Sequence, residues 1–115
     1  MRTRTLLGVG VALALTAIPL MAHHGFADYT SDSTEVAGTL ERGFRLTRPH
    51  ATLLLRVDDV TCRVIFGGIA QFSELREDTI PLGATVTVAG QSHLDPDRCD
   101  YRGIRVDWGE RTFEF

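Results

Sequence analysis

The amino-acid sequence predicts a small all-β domain, a five-stranded barrel with one short helix between its third and fourth strands. Three observations predict it. Apolar and polar residues alternate in five separate segments after Thr34, one segment around Phe72 switches to three-residue apolar spacing, and Gly, Pro and Asp punctuate the junctions.

Residues 1–22 read as a secretory signal peptide. Arg2 and Arg4 form a basic start, Leu6 to Ile18 an apolar run of 13 residues, and Pro19 to Ala22 a cleavage region ending on a small side chain. That run is shorter than the roughly 20 residues a spanning helix needs, so removal rather than anchoring is expected. Gly25-Phe26-Ala27 offers a second cut, after Ala27. Cleavage after Ala22 starts the mature chain at His23; cleavage after Ala27 discards His23 and His24.

Residues 23–33 are polar and aperiodic and predict a flexible N-terminal arm, with residues 34–115 as the barrel. Val36, Gly38 and Leu40 share one face of strand one, and Phe44 and Leu46 resume the alternation after Arg42-Gly43, where a bulge is expected. Pro49 ends that strand. Ala51, Leu53, Leu55 and Val57 form the inner face of strand two up to an Asp58-Asp59 turn, and Thr61 to Phe66 make strand three. After Gly67-Gly68, the spacing of Ile69, Phe72 and Leu75 gives one apolar stripe on a helix that would plug the barrel. Ile80-Pro81-Leu82-Gly83 turns the chain, and Val86, Val88 and Gly90 alternate as strand four. Tyr101 to Trp108 make strand five, with Ile104, Val106 and Trp108 expected to face inward, and Thr112 to Phe115 either extend the sheet or fold over the core.

Three strands, a helix and two strands in about 80 residues is the order of the OB-like Greek-key barrel. A small sandwich is the alternative; an immunoglobulin-like domain would need seven strands, which the sequence does not supply. Removing Arg2 and Arg4 takes the basic residues from 12 to 10 against 15 acids, all of the former arginine, for a net charge of −5. An acidic chain with no basic run does not suit nucleic acid, whose binding needs clustered cations. Cys62 and Cys99 are the only cysteines. In an exported chain they predict a disulfide, with two free thiols or a shared metal site as alternatives, although neither has CxxC spacing. A loop of this length, once closed, stabilises a fold by about 4 kcal/mol.

The residues also resemble a family of uncharacterised exported bacterial proteins, of the domain-of-unknown-function kind, whose mature chains start near a His-His pair. The resemblance covers most of the mature chain. It rests on Ala22-His23-His24-Gly25-Phe26, on Val36-Ala37-Gly38-Thr39-Leu40, on Arg48-Pro49-His50 where the family has Asn-Pro-His, and on Gly83-Ala84-Thr85-Val86-Thr87-Val88. It implies export and a small barrel, and carries no activity with it.

The candidate chemistry lies in the histidines. An α-amine beside His23 and His24 is a nitrogen chelate suited to Cu(II) or another late first-row metal. In a histidine brace the His23 amine and ring close one chelate and a distant imidazole supplies a third nitrogen; in a local amino-terminal chelate the His24 amide and imidazole serve instead. Parity puts His50 on the outer face of strand two with Thr52 and Arg56, within reach of an arm of about ten residues. His93 falls on the outer face of strand four and is the weaker candidate. Asp95, Asp97 and Asp100 lack the spacing of a calcium loop and read as a solvated acidic turn. Tyr29, Phe44, Tyr101 and Trp108 are either a stacking platform or core, and no nucleophile motif occurs. The expected protein is therefore periplasmic or secreted, monomeric, and a binding protein for copper or an envelope component rather than an enzyme. The rivals are an adaptor module that binds a ligand on the barrel surface without metal, and a copper redox enzyme using the brace.

Overall fold

The computed structural model describes residues 26–47, 49–67 and 75–115. Six strands follow one another: β1 (Thr34–Thr47), β2 (His50–Val57), β3 (Val60–Phe66), β4 (Thr85–Ser92), β5 (Asp100–Trp108) and β6 (Arg111–Glu114). β1 pairs with β4 through its first half and with β2 through its second, β2 with β3, and β4 with β5, all antiparallel. A parallel pairing of β3 with β5, Arg63 opposite Asp100 through Phe66 opposite Gly103, closes the ring. The result is a closed five-stranded barrel of OB-like order, with β6 added to β5 as an outer hairpin strand.

The alternation places the core. Leu40, Ala51, Leu53, Leu55, Val64, Phe66, Val86, Val88 and Val106 are all buried inside the barrel. Long β1 can serve two partners because it bends at register shifts between Leu40 and Arg42 and again before Arg45, where the Arg42-Gly43 break was expected. Asp58 and Asp59 take φ of 46° and 65° and link β2 to β3 in two residues, the mirror-image turn that a right-twisted hairpin accepts. The C-terminal residues extend the sheet as β6, and Phe113 on it and Phe115 just after it pack into the core, Phe113 against Phe44 at a ring separation of 5.9 Å and Phe115 against Phe44 and Phe66 at 5.8 and 4.2 Å.

The helix expected over Ile69 to Leu75 lies outside the described residues except for Leu75, which is buried in the core together with Ile80. Ile104 does not face inward. The β4–β5 register runs from Ala89 opposite Arg105 to Gly90 opposite Gly103, so Ile104 is an unpaired bulge residue and is 37% exposed. Alternation on β5 is thus reset, with Tyr101 and Gly103 inward before the bulge and Val106 and Trp108 after it.

Gly103 has a steric reason to be glycine. A Cβ there would run into the Phe66 ring and lie 2.7 Å from Val64 Cγ1, inside the closed ring, whereas one on Gly67 would meet nothing within 4 Å. Gly103→Ala is therefore expected to destabilise the domain by about 2 kcal/mol, while Gly67→Ala changes denaturant midpoints little; equal effects would contradict this placement.

Candidate functional site

The site is built along the β3–β5 seam and the segment that crosses it. Cys62 is fully buried on β3 and is bonded to Cys99 just before β5, with Cα atoms 4.7 Å apart. The next residue on each strand, Arg63 and Asp100, points to the opposite face and forms the adjacent register pair. Asp100 is 4% exposed. Its carboxylate accepts from Arg63 Nη2 at 2.8 Å and Nε at 3.4 Å, from Arg98 Nη2 at 3.0 Å and from the Tyr29 hydroxyl at 2.8 Å. A carboxylate removed from water needs such donors, and here it has four.

Tyr29 belongs to the segment expected to be a flexible arm. Its described part is docked: Thr30 N–H donates to Ser92 O, Leu94 N–H donates to Asp28 O, and Tyr29 bridges to His93. Phe26 continues this lining, with the Arg102 guanidinium 4.3 Å from its ring centroid and the His50 ring edge-on at 5.2 Å. Asp100 and Arg102 are alternate residues on one face of β5, and Tyr29 and Phe26 cover them in turn. Sequence reading missed this because the arm has no apolar period; ring contacts of Phe26 and Tyr29, the Asp100 carboxylate and backbone hydrogen bonds hold it.

The acidic-turn expectation fails at Asp100, which is a buried ion-pair acceptor, and holds for Asp95 and Asp97, which are exposed. The Cys62–Cys99 bridge, combined with the parallel register of β3 and β5, brings the residues that follow, Arg63 and Asp100, side by side. The stacking platform does not form. Phe44 is core, Trp108 is half-buried beside Arg111, and the Tyr29 hydroxyl is engaged by Asp100.

The two described histidines differ in readiness for a metal. His93 Nδ1 accepts the Asp95 N–H at 2.9 Å, so its neutral ring keeps the proton on Nε2. His50 is half-buried, and its Nδ1 is shielded and has no hydrogen-bond partner among the described residues. His23 and His24 lie outside the described residues. Among the described residues no three His, Cys, Asp or Glu side chains gather as a metal-holding group, and no helix is long and apolar enough to cross a membrane. No protein-family model matches this chain, and no curated protein is significantly similar to it.

Burial, followed by the Asp100 hydrogen bond, pushes the Tyr29 phenol above its usual value of 10.0, and the Asp100 carboxylate holds the Arg63 guanidinium above its own. A raised phenol means that the stability Tyr29 contributes is present below about pH 10 and is lost as pH climbs through the folded value. Titration of tyrosinate absorbance should therefore show a late component that disappears in Tyr29→Phe. Asp100→Ala, which strands Arg63, Arg98 and Tyr29, should lower unfolding stability by about 2 to 3 kcal/mol; a neutral effect, or an unaltered titration in Tyr29→Phe, would contradict the clamp.

Proposed function

We propose that this chain is an exported barrel whose processed N-terminus binds Cu(II) through the His23 amine and imidazole, with His50 supplying the third nitrogen. The observation that carries the reading is the edge-on contact of Phe26 with His50 at 5.2 Å. Phe26 is three residues after His23, and covalent geometry alone keeps their Cα atoms within roughly 11 Å. A chelate formed at that end therefore has the His50 imidazole in its neighbourhood, on a segment whose path is fixed by Tyr29 and Thr30. Of the two histidines on the outer face, His50 is favoured because its Nδ1 has no hydrogen-bond partner among the described residues, whereas binding at His93 would require its tautomer to change or the Asp95 contact to break.

Amine and imidazole nitrogens suit Cu(II) above other divalent first-row ions in affinity order. The disulfide supports an oxidising location, periplasmic or extracellular, in which thiols do not compete for the metal. Export, the mature N-terminus at His23, the family resemblance and the metal all belong to this one proposal, and binding rather than turnover is the activity it assigns.

Copper titration of natively exported protein tests it. Intact mass should give His23 as first residue, and one Cu(II) should bind per chain with affinity that falls as protons compete for an imidazole near pH 6.5 and an α-amine near 8. One residue added before His23 should weaken binding by about 100-fold, and His50→Ala should alter the Cu(II) spectrum. A mature mass that begins at Asp28 would overturn the reading. So would loss of binding in His24→Ala with an unchanged spectrum in His50→Ala, which identifies the local chelate.

A further inference from the structure

Arginines that are scattered along the chain are brought to one side of the barrel. Alternation on β2 and β3 buries Leu53, Leu55, Cys62 and Val64, so Thr52, Leu54 and Arg56 face outward, with Thr61, Arg63 and Ile65 beside them. The register sets Arg42 of β1 opposite Leu54, Arg45 opposite Thr52, and Arg102 of β5 opposite Ile65. Arg98 joins Arg63 at Asp100. These are six of the ten arginines in residues 23–115, and the carboxylates set against them are Glu41, Asp59, Glu77 and Asp100. Six positive against four negative charges leave this side at +2, whereas the other four arginines and eleven acids leave the remainder at −7.

The guanidiniums are set apart from one another and reachable. Arg45, Arg56, Arg63 and Arg98 are each about half exposed. Arg63 meets Asp100 through Nε and Nη2, and Arg98 meets it through Nη2, which leaves Nη1 of each without a hydrogen bond among the described residues. Between Arg42 and Arg45 on one flank and Arg63 and Arg102 on the other runs a neutral strip of Thr52, Leu54 and Ile65, whose two aliphatic side chains are half-buried and turned outward. A hollow of about 420 Å³ opens beside Leu54, lined also by Thr61, Arg63 and Arg98.

We propose that this side binds an acidic oligosaccharide, a chain of uronate sugars whose carboxylates pair with guanidiniums on both flanks while the apolar faces of its rings lie over Leu54 and Ile65. Cations set apart by neutral residues suit anions spaced along a chain better than one compact anion, and guanidinium forks suit carboxylates. Single-stranded nucleic acid stacks its bases on aromatic side chains, and the strip contains none. An extended peptide adds to a free sheet edge, but β2 is hydrogen-bonded between β1 and β3, and β3 between β2 and β5. The site needs neither His50 nor a metal, so it stands or falls apart from the copper reading.

Hexagalacturonate, titrated into the whole processed protein with a chelator present and followed by backbone amide shifts, tests it against neutral maltohexaose, oligo-dT, polyglutamate and phosphatidylglycerol vesicles. Hexagalacturonate should shift residues 52–56 and 61–65 saturably, with affinity that falls as salt rises. Maltohexaose should bind at least about tenfold more weakly, as expected when ionic hydrogen bonds are lost. Arg45→Gln and Arg56→Gln, at exposed ion pairs that add little to stability, should each weaken hexagalacturonate severalfold. Leu54→Ser should weaken it without changing its salt dependence, because that contact is apolar. No saturable shift, equal binding of maltohexaose, unaffected arginine variants, or tighter binding of oligo-dT, polyglutamate or the vesicles would overturn the proposal.

Discussion

The parallel pairing of β3 with β5 is the contact on which the rest of the molecule depends. It joins residues 63–66 to residues 100–103, and without it the other five pairings would leave an open sheet with two unpaired edges. The chain supports this seam three times over. The Cys62–Cys99 bridge ties its start, the Arg63 N–H donates to Cys99 O beside it, and the Arg63 to Asp100 ion pair lies on the outer face. Gly103 then lets the Phe66 ring pack against β5 from inside. In so small a domain a covalent link at the closing contact matters, because the apolar core alone has little surplus stability.

The same seam positions the N-terminal segment. Asp100 is held by two arginines and offers its remaining acceptor capacity to Tyr29, so the carboxylate that secures the barrel also secures what crosses it. Each of those arginines is about half exposed, so the ion pairs alone would stabilise little in water; the buried carboxylate they share is what gives them effect. The path of residues 26–31 over β5, and the meeting of Phe26 with His50, follow from that anchorage together with the hydrogen bonds to Ser92 and Leu94.

Much of the fold was legible because alternation is a direct consequence of strand geometry. Leu53 and Leu55, Val64 and Phe66, and Val86 and Val88 all fall on the buried side that parity assigns them. Ile104 was misread because a bulge shifts parity by one residue, and nothing local announces a bulge when the glycine beside it could equally be packing against a neighbour. The cysteine pairing was legible from there being two cysteines in a chain expected to be exported. What that pairing implied for Arg63 and Asp100 needed the strand register, which sequence spacing does not provide. Tyr29 and Phe26 were illegible for a different reason: they bind across long sequence separations through a few side-chain contacts each, which leave no periodic trace.

Amide hydrogen exchange, compared between the oxidised protein and a Cys62→Ala, Cys99→Ala variant, tests most directly whether the seam holds the N-terminal segment. The Arg63 amide reports the seam through its bond to Cys99 O, and the Thr30 amide reports the segment through its bond to Ser92 O. Removing the bridge should speed exchange at both sites together, with the β1–β2 amides protected longest. Faster exchange at Arg63 with an unchanged Thr30 would show that the segment is held independently, and would contradict the account.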